Sequence, residues 1–339
     1  MARRRMKWIV AAIGAHFALS GTAQAAGLSI RTIAAHELRL SAIGYRIAAS
    51  NAHSCGAPRM MSGLIVHDLS QYPLSARGAV SRAFSLDRGI GVLGVVPDSG
   101  AARAGLRVDD EILRFGNRSV ESAIAWTQRA TSYRRIDDFF ASLSQALGQG
   151  PQRLLVRRSG QLVALDLAGR QGCGGDVKFV DSSSTNAWSD GRHVVLSSAI
   201  VNIARSDDEL AFVIAHEMAH NILGHLDKSG RDSRALLGQL LATAGPRGAE
   251  SQADAAAVSL MNRGGYAPEA GITFLQSASR RLWWAVSLSH PGFGSRIRAV
   301  GSAIARDRLH GFQTPRRASA VPGLLEKVVL DRAAPVLPG

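Results

Sequence analysis

The chain has only two cysteines in 339 residues, Cys55 and Cys173, and they do not stand as a Cys pair at finger spacing, which speaks against a structural zinc held by them. Charge is scarce and one-sided: charged residues make up 19%, with 40 Lys and Arg against 26 Asp and Glu, a formal +14. Low-complexity tracts and internal repeats are absent, and 46% hydrophobic residues suit a folded protein. The arginines are scattered, as in Arg157-Arg158, Arg280-Arg281 and Arg316-Arg317, and no nucleic-acid motif accompanies them. Nucleic acid is therefore excluded, while anionic lipid headgroups and cell-wall polymers remain partners for a basic surface. No apolar run is long enough to span a bilayer comfortably. Both Trp8 to Leu19 and Ala235 to Ala242 fall short; the latter reads as a packed helix or lid, with peripheral membrane contact open.

The first of those runs follows Arg3-Arg-Arg-Met-Lys7 and precedes the small residues Ala23-Gln-Ala25. That order is a signal peptide over residues 1–25, and the expected location is a bacterial periplasm; an uncleaved anchor is the minority alternative. No cysteine sits at the cleavage site, which speaks against a lipoprotein. Export permits disulfides, so Cys55 and Cys173 are expected to pair with each other. If they do, whatever lies between them is inserted into the surrounding domain.

The most informative residues are His216-Glu-Met-Ala-His220, inside the apolar run that starts at Leu210. On a helix, His216 and His220 share a face and can reach one metal ion, while Glu217 lies beside the open coordination position as a base for water. Ser206 and Glu209 have capping-box spacing, with Asp207 and Asp208 in the first turn, so the helix starts there. A catalytic zinc takes a third protein ligand. His225 misses the metzincin spacing by one residue and reads as a helix-end cation. Glu250 is the better candidate, on a second helix after Gly245-Pro246 that ends at Gly264-Gly265 and carries Asp254 on the same face. His193 reads as a solvent-facing turn residue.

His216-Glu-Met-Ala-His220, the Glu250-x-x-Ala-Asp254 helix, and Ser289-His290-Pro291 with Arg296 downstream resemble the M48 zinc metallopeptidases over about residues 180–300. The resemblance implies one zinc ion per chain held by His216, His220 and Glu250, with Glu217 as general base. It also implies that Asp254 orients a ligand imidazole and that His290 faces the tetrahedral oxyanion. Asn186-Ala187-Trp188 is similar to the family's substrate strand, so Asn186, Ala187, Val194 and Arg296 are the expected substrate contacts. His193 to Ser198 is expected to be an edge strand to which an extended substrate adds.

A second resemblance lies between residues 85 and 168. Gly89-Ile-Gly-Val92, Pro97-Asp-Ser-Gly-Ala-Ala-Arg-Ala-Gly-Leu106, the helix Ile136 to Leu147 and the hairpin around Ser159-Gly160 resemble a PDZ domain. It implies capture of a peptide C-terminus around Gly89, Ile90, Gly91 and Val92. The expected fold is α+β: a mostly helical zincin-type domain with a small sheet, plus a PDZ-like β-barrel or sandwich module. The segments are residues 26–84 and 169–312 for the peptidase, 85–168 for the module and 313–339 for a tail. The expected activity is zinc-dependent endopeptidase action on exported proteins. The alternative is a PDZ-centred, chaperone-like peptide binder with marginal proteolysis.

Overall fold

The computed structural model describes residues 23–225, 248–281 and 292–309. The basic start and apolar run of the leader, Ala235 to Ala242, Trp283-Trp284 and the 313–339 tail lie outside the described residues. Ala23 to Ala25, the expected cleavage site, form the first turn of α1 (Ala23–Ser50). Among the described residues no helix is long and apolar enough to cross a membrane.

Helix α1 is the beam that joins the two parts of the protein. Leu40, Ile43 and Ile47, at helical spacing, enter the larger core, whereas Leu38 packs with Ile65 and Val96 of the other part. The chain then crosses out through β1 (Arg59–Met61) and β2 (Leu64–His67), and α2 (Leu74–Phe84) follows. Strands β3 (Ile90–Val95), β4 (Glu111–Phe115) and β5 (Arg118–Ser119) precede α3 (Arg134–Gly148). A hairpin of β6 (Gln152–Arg158) and β7 (Gln161–Leu167) closes the sheet, turning at Ser159 and Gly160, both with positive φ. The strand order is β2-β3-β4-β6-β7, with β5 on β4, and Ile136, Phe139, Leu143 and Leu147 of α3 are buried with this sheet's core.

This is the PDZ-like module, and two expectations about it need correction. Its sheet begins with β2, so residues 64–67 belong to it rather than to the peptidase segment ending at 84. Gly89 to Val92 line no groove. Strand β3 is hydrogen-bonded to β2 on one side and β4 on the other, Ile90 and Val92 are fully buried, and no edge is left for a peptide. Gly89 is there for close approach: its amide donates to Glu111 Oε1 at 2.7 Å, and a Cβ would stand 2.5 Å from the Ile112 carbonyl oxygen.

The chain returns through β8 (Arg170–Gly172), which pairs antiparallel with β1, next to the Cys55–Cys173 disulfide. Exit and re-entry are thus side by side. Strands β9 (Asp176–Val180), β10 (Ala187–Ser189) and β11 (His193–Ser197) form a sheet of order β10-β11-β9. Helices α4 (Asp207–Ile222), α5 (Ala249–Gly264), α6 (Ala270–Arg281) and α7 (Phe293–Leu309) pack around it in one core running from Leu40 to Ile304. The expected edge strand is instead the central one: β11 pairs on both sides and Val194 is fully buried. The outer strands are β9 and β10, and β10 carries Ala187 and follows Asn186.

The parts also meet at the tip of the β10–β11 hairpin. His193 is not a free turn residue: its Nδ1 lies 3.0 Å from Asp190 Oδ2 and its Nε2 3.4 Å from Asp137 Oδ1 on α3, while Arg192 donates to the Asp137 carbonyl at 2.9 Å. Burial opposes a charge on His193, but the Asp137 and Asp190 carboxylates win and raise its pKa from 6.5 to about 9. A pKa raised by folding stabilises the fold fully below the unfolded value of 6.5, and that contribution is lost as pH rises through about 9. Asp137→Asn should therefore cost stability in urea at about pH 6 and little at about pH 10. An equal cost at both would contradict the pairing.

Candidate metal centre

Helix α4 starts where the sequence says it should. The Ser206 hydroxyl accepts from the Glu209 amide at 3.2 Å, and Glu209 reaches back to the amide of Arg205, one residue before the cap. From Leu210 to Ala219 every residue except Glu217 is buried, so the helix is fixed on nearly all sides. Ala253, Ala255, Ala256 and Ala257 on α5 are buried too, and their small size lets the two helices approach closely.

That approach brings Glu250 to the two histidines. His216 Nε2 lies 3.2 Å from His220 Nε2 and 3.3 Å from Glu250 Oε2, and His220 Nε2 lies 3.6 Å from Glu250 Oε1. Zinc with bonds of about 2.0–2.1 Å separates tetrahedral ligands by about 3.3 Å, so the triangle has the size of one face of such a site. Among the described residues this is the one group of three His, Cys, Asp or Glu side chains that could hold a metal ion. Two imidazoles and a carboxylate are also the right donors, and they leave a position open.

The surrounding charges favour a cation. Burial and the nearby Arg296 oppose a proton on His216, yet the Asp254 and Glu250 carboxylates outweigh them and raise its pKa to about 9. Burial and the His216 neighbour pull His220 down to about 4. Burial pushes Glu217 above the usual carboxylate range, partly offset by His216 and a hydrogen bond with Ser189 of β10. The base is thereby tied to an outer strand of the sheet.

Asp254 is fully buried and 3.0 Å from His216 Nδ1, so it fixes that ring with Nε2 turned to the triangle. Arg296 holds Asp254 in turn, through Nε at 2.9 Å and Nη2 at 2.6 Å. Burial alone would raise the Asp254 pKa, but the bonds from His216 and Arg296 hold it low. Arg296 is therefore engaged with the ligand shell, not with the expected substrate surface. His290 lies outside the described residues.

Sequence reasoning missed Asn221, which follows His220 and locks the hairpin to α4. Its Oδ1 accepts from the Gly191 amide at 2.7 Å, and its Nδ2 donates to the Gly174 and His193 carbonyls at 3.1 and 3.2 Å. Nothing in its local sequence marks it, because its partners come from other strands. His225 does not stand apart at the helix end either; it is half-buried and lies against His220, with ring centroids 4.9 Å apart.

Arg296→Ala should weaken zinc binding about 10- to 100-fold in a chelator competition, because it frees the carboxylate that orients His216. Unchanged zinc affinity with only a higher KM would return Arg296 to substrate contact.

The sequence model of peptidase family M48 matches residues 156–236 and 233–304. No curated protein matches the chain. Two solved structures align over 34% of it at TM-scores of 0.25, too loose to bear on function. One is an HtrA-type protease, AlgW, with a decapeptide (24% identity, 30% of that chain); the other is the HtrA3 PDZ domain bound to a phage-derived ligand (16% identity, 89% of that chain). The match covers residues 156–304, the part of the chain that carries the histidine pair and both carboxylates, and over that part the chain is similar to peptidase family M48.

Proposed function

We propose that the protein is a zinc-dependent endopeptidase of the cell envelope whose PDZ-like module captures peptide C-termini. The observation that carries the enzymatic part is the zinc-sized triangle of His216, His220 and Glu250 beside a half-buried Glu217. When bound there, zinc supplies Lewis-acid chemistry, acidifying water and polarising a scissile carbonyl. Glu217 takes a proton from the attacking water and passes it to the leaving amine, and its raised pKa suits both halves of that task. The substrate lies extended along β10, where Asn186 and Ala187 stand, and Ser189 keeps Glu217 beside that edge. Main-chain pairing of this kind gives weak side-chain selectivity.

Peptide capture belongs between β2 and α3 rather than at Gly89 to Val92. Strand β2 ends its sheet, and a cavity beside it is lined by Leu64, Ile65, Phe140 and Leu143 of the module, with Tyr45 of α1 and Lys178 of β9 opposite. An apolar side chain fits the module's wall, and a terminal carboxylate would share the Lys178 ammonium with Glu37, 3.0 Å from it. Export to the periplasm is supported by the leader-like first residues and by the disulfide, which needs an oxidising compartment.

Residues 26–339 should bind one zinc per chain and hydrolyse casein, and Glu217→Gln should keep the metal while losing about 10²- to 10⁴-fold in rate. Zinc without hydrolysis in either protein would favour the PDZ-centred binding role; no zinc would end the peptidase reading. Fluorescent peptides with an apolar C-terminal residue should bind as free acids and not as amides. Equal binding of both would refute carboxylate capture.

A further inference from the structure

The three ligand side chains are not oriented alike. His216 has a charged carboxylate behind it, Asp254, at 3.0 Å. Behind His220 stands His225, whose Nδ1 is 3.0 Å from His220 Nδ1. Helix α4 ends at Ile222, and Gly224 takes a left-handed φ of +65°, turning the chain back so that the His225 amide donates to the His220 carbonyl at 3.1 Å. The turn therefore has the effect of placing one imidazole against the other. The far nitrogen of His225, Nε2, lies 3.0 Å from Gln252 Oε1, and Gln252 is on α5 two positions after Glu250.

Hydrogen-bond chemistry fixes the protons along this row. His220 presents Nε2 to the triangle, and a ligand nitrogen must be bare. Its proton then sits on Nδ1 and is donated to His225 Nδ1, which must accept. A neutral His225 accordingly carries its proton on Nε2 and donates it to Gln252 Oε1. The opposite assignment would put a proton on His220 Nε2 and require the Gln252 amide nitrogen, not its oxygen, to face His225. The orientation of Gln252 selects the ligand-ready form.

We propose that His225 is a positioning residue for the metal, holding His220 in the tautomer and ring orientation that bind zinc, and that Gln252 sets His225. This rests on the metal-site reading above. His225 does not itself complete the triangle, since its near nitrogen faces His220 Nδ1 and not the donor atoms. The row sets an imidazole and an amide behind His220, where His216 has the Asp254 carboxylate, and it also ties the end of α4 to α5.

The test is zinc affinity by competition with a chromophoric chelator on the full chain, together with the melting temperature of each metal-free protein. His225→Ala should weaken zinc binding about 10- to 100-fold, the range for losing a group behind a ligand, with the metal-free melting temperature kept. His225→Asn should recover most of the affinity, because its Oδ1 occupies the place of the accepting nitrogen. Gln252→Glu should retain affinity, since a carboxylate accepts from the same Nε2–H. Wild-type affinity in His225→Ala would overturn the proposal, as would a loss that follows a lowered metal-free melting temperature and is not rescued by asparagine. If the wild-type chain binds no zinc, the metal-site reading itself fails, and this proposal with it.

Discussion

A helix buried on nearly every face cannot carry His216, Glu217 and His220 in one turn unless the surrounding fold supplies a partner for each polar atom, since an unpaired buried charge costs several kcal/mol. The rest of the peptidase part is arranged around that demand. Helix α5 supplies Glu250 and Asp254 from one face and Gln252 to His225, α7 supplies Arg296 to neutralise Asp254, and β10 supplies Ser189 to Glu217. The core does the same for Glu209, whose carboxylate accepts from Thr273 and the Arg205 amide. All of these partners except the Arg205 amide come from other elements, so the site exists only in the folded chain.

The same logic explains how a second module can be inserted without loosening the first. Exit and return strands pair as β1 and β8, the disulfide joins the residues just outside them, and Arg59 pairs with Asp176 at 2.9 Å across the junction. Lys178 reaches Glu37 on α1 at 3.0 Å and lies over the Phe140 ring of α3. With His193 on Asp137, contacts to α3 come from β9 and β11 of the peptidase sheet, whose outer strand β10 is proposed to bind substrate. The groove and the catalytic centre are thus built on elements that touch each other.

How much of this could be read from the sequence follows from the range of the interactions. The histidine pair, the Ser206 cap and the α5 helix with Glu250 and Asp254 are set by spacings within a few turns, and these are legible. The family of residues 156–304 and the PDZ-like module were legible by resemblance. Strand order was not: β11 read as an edge strand because short β-branched runs look the same at an edge and in the middle of a sheet. Gly89 was mistaken for a ligand loop, when its neighbours in space are Glu111 and Ile112. Arg296, Asn221, Ser189 and Gln252 act through partners on other elements, and no local pattern distinguishes such residues from solvated ones.

The central claim is that His216, His220 and Glu250 hold one zinc ion, and X-ray absorption at the zinc edge of the purified chain tests it most directly. The expected result is a shell of two imidazole nitrogens and oxygen ligands at about 2.0–2.1 Å, with one imidazole lost in His220→Ala. A zinc shell unchanged by that substitution, or a chain that retains no zinc, would contradict it.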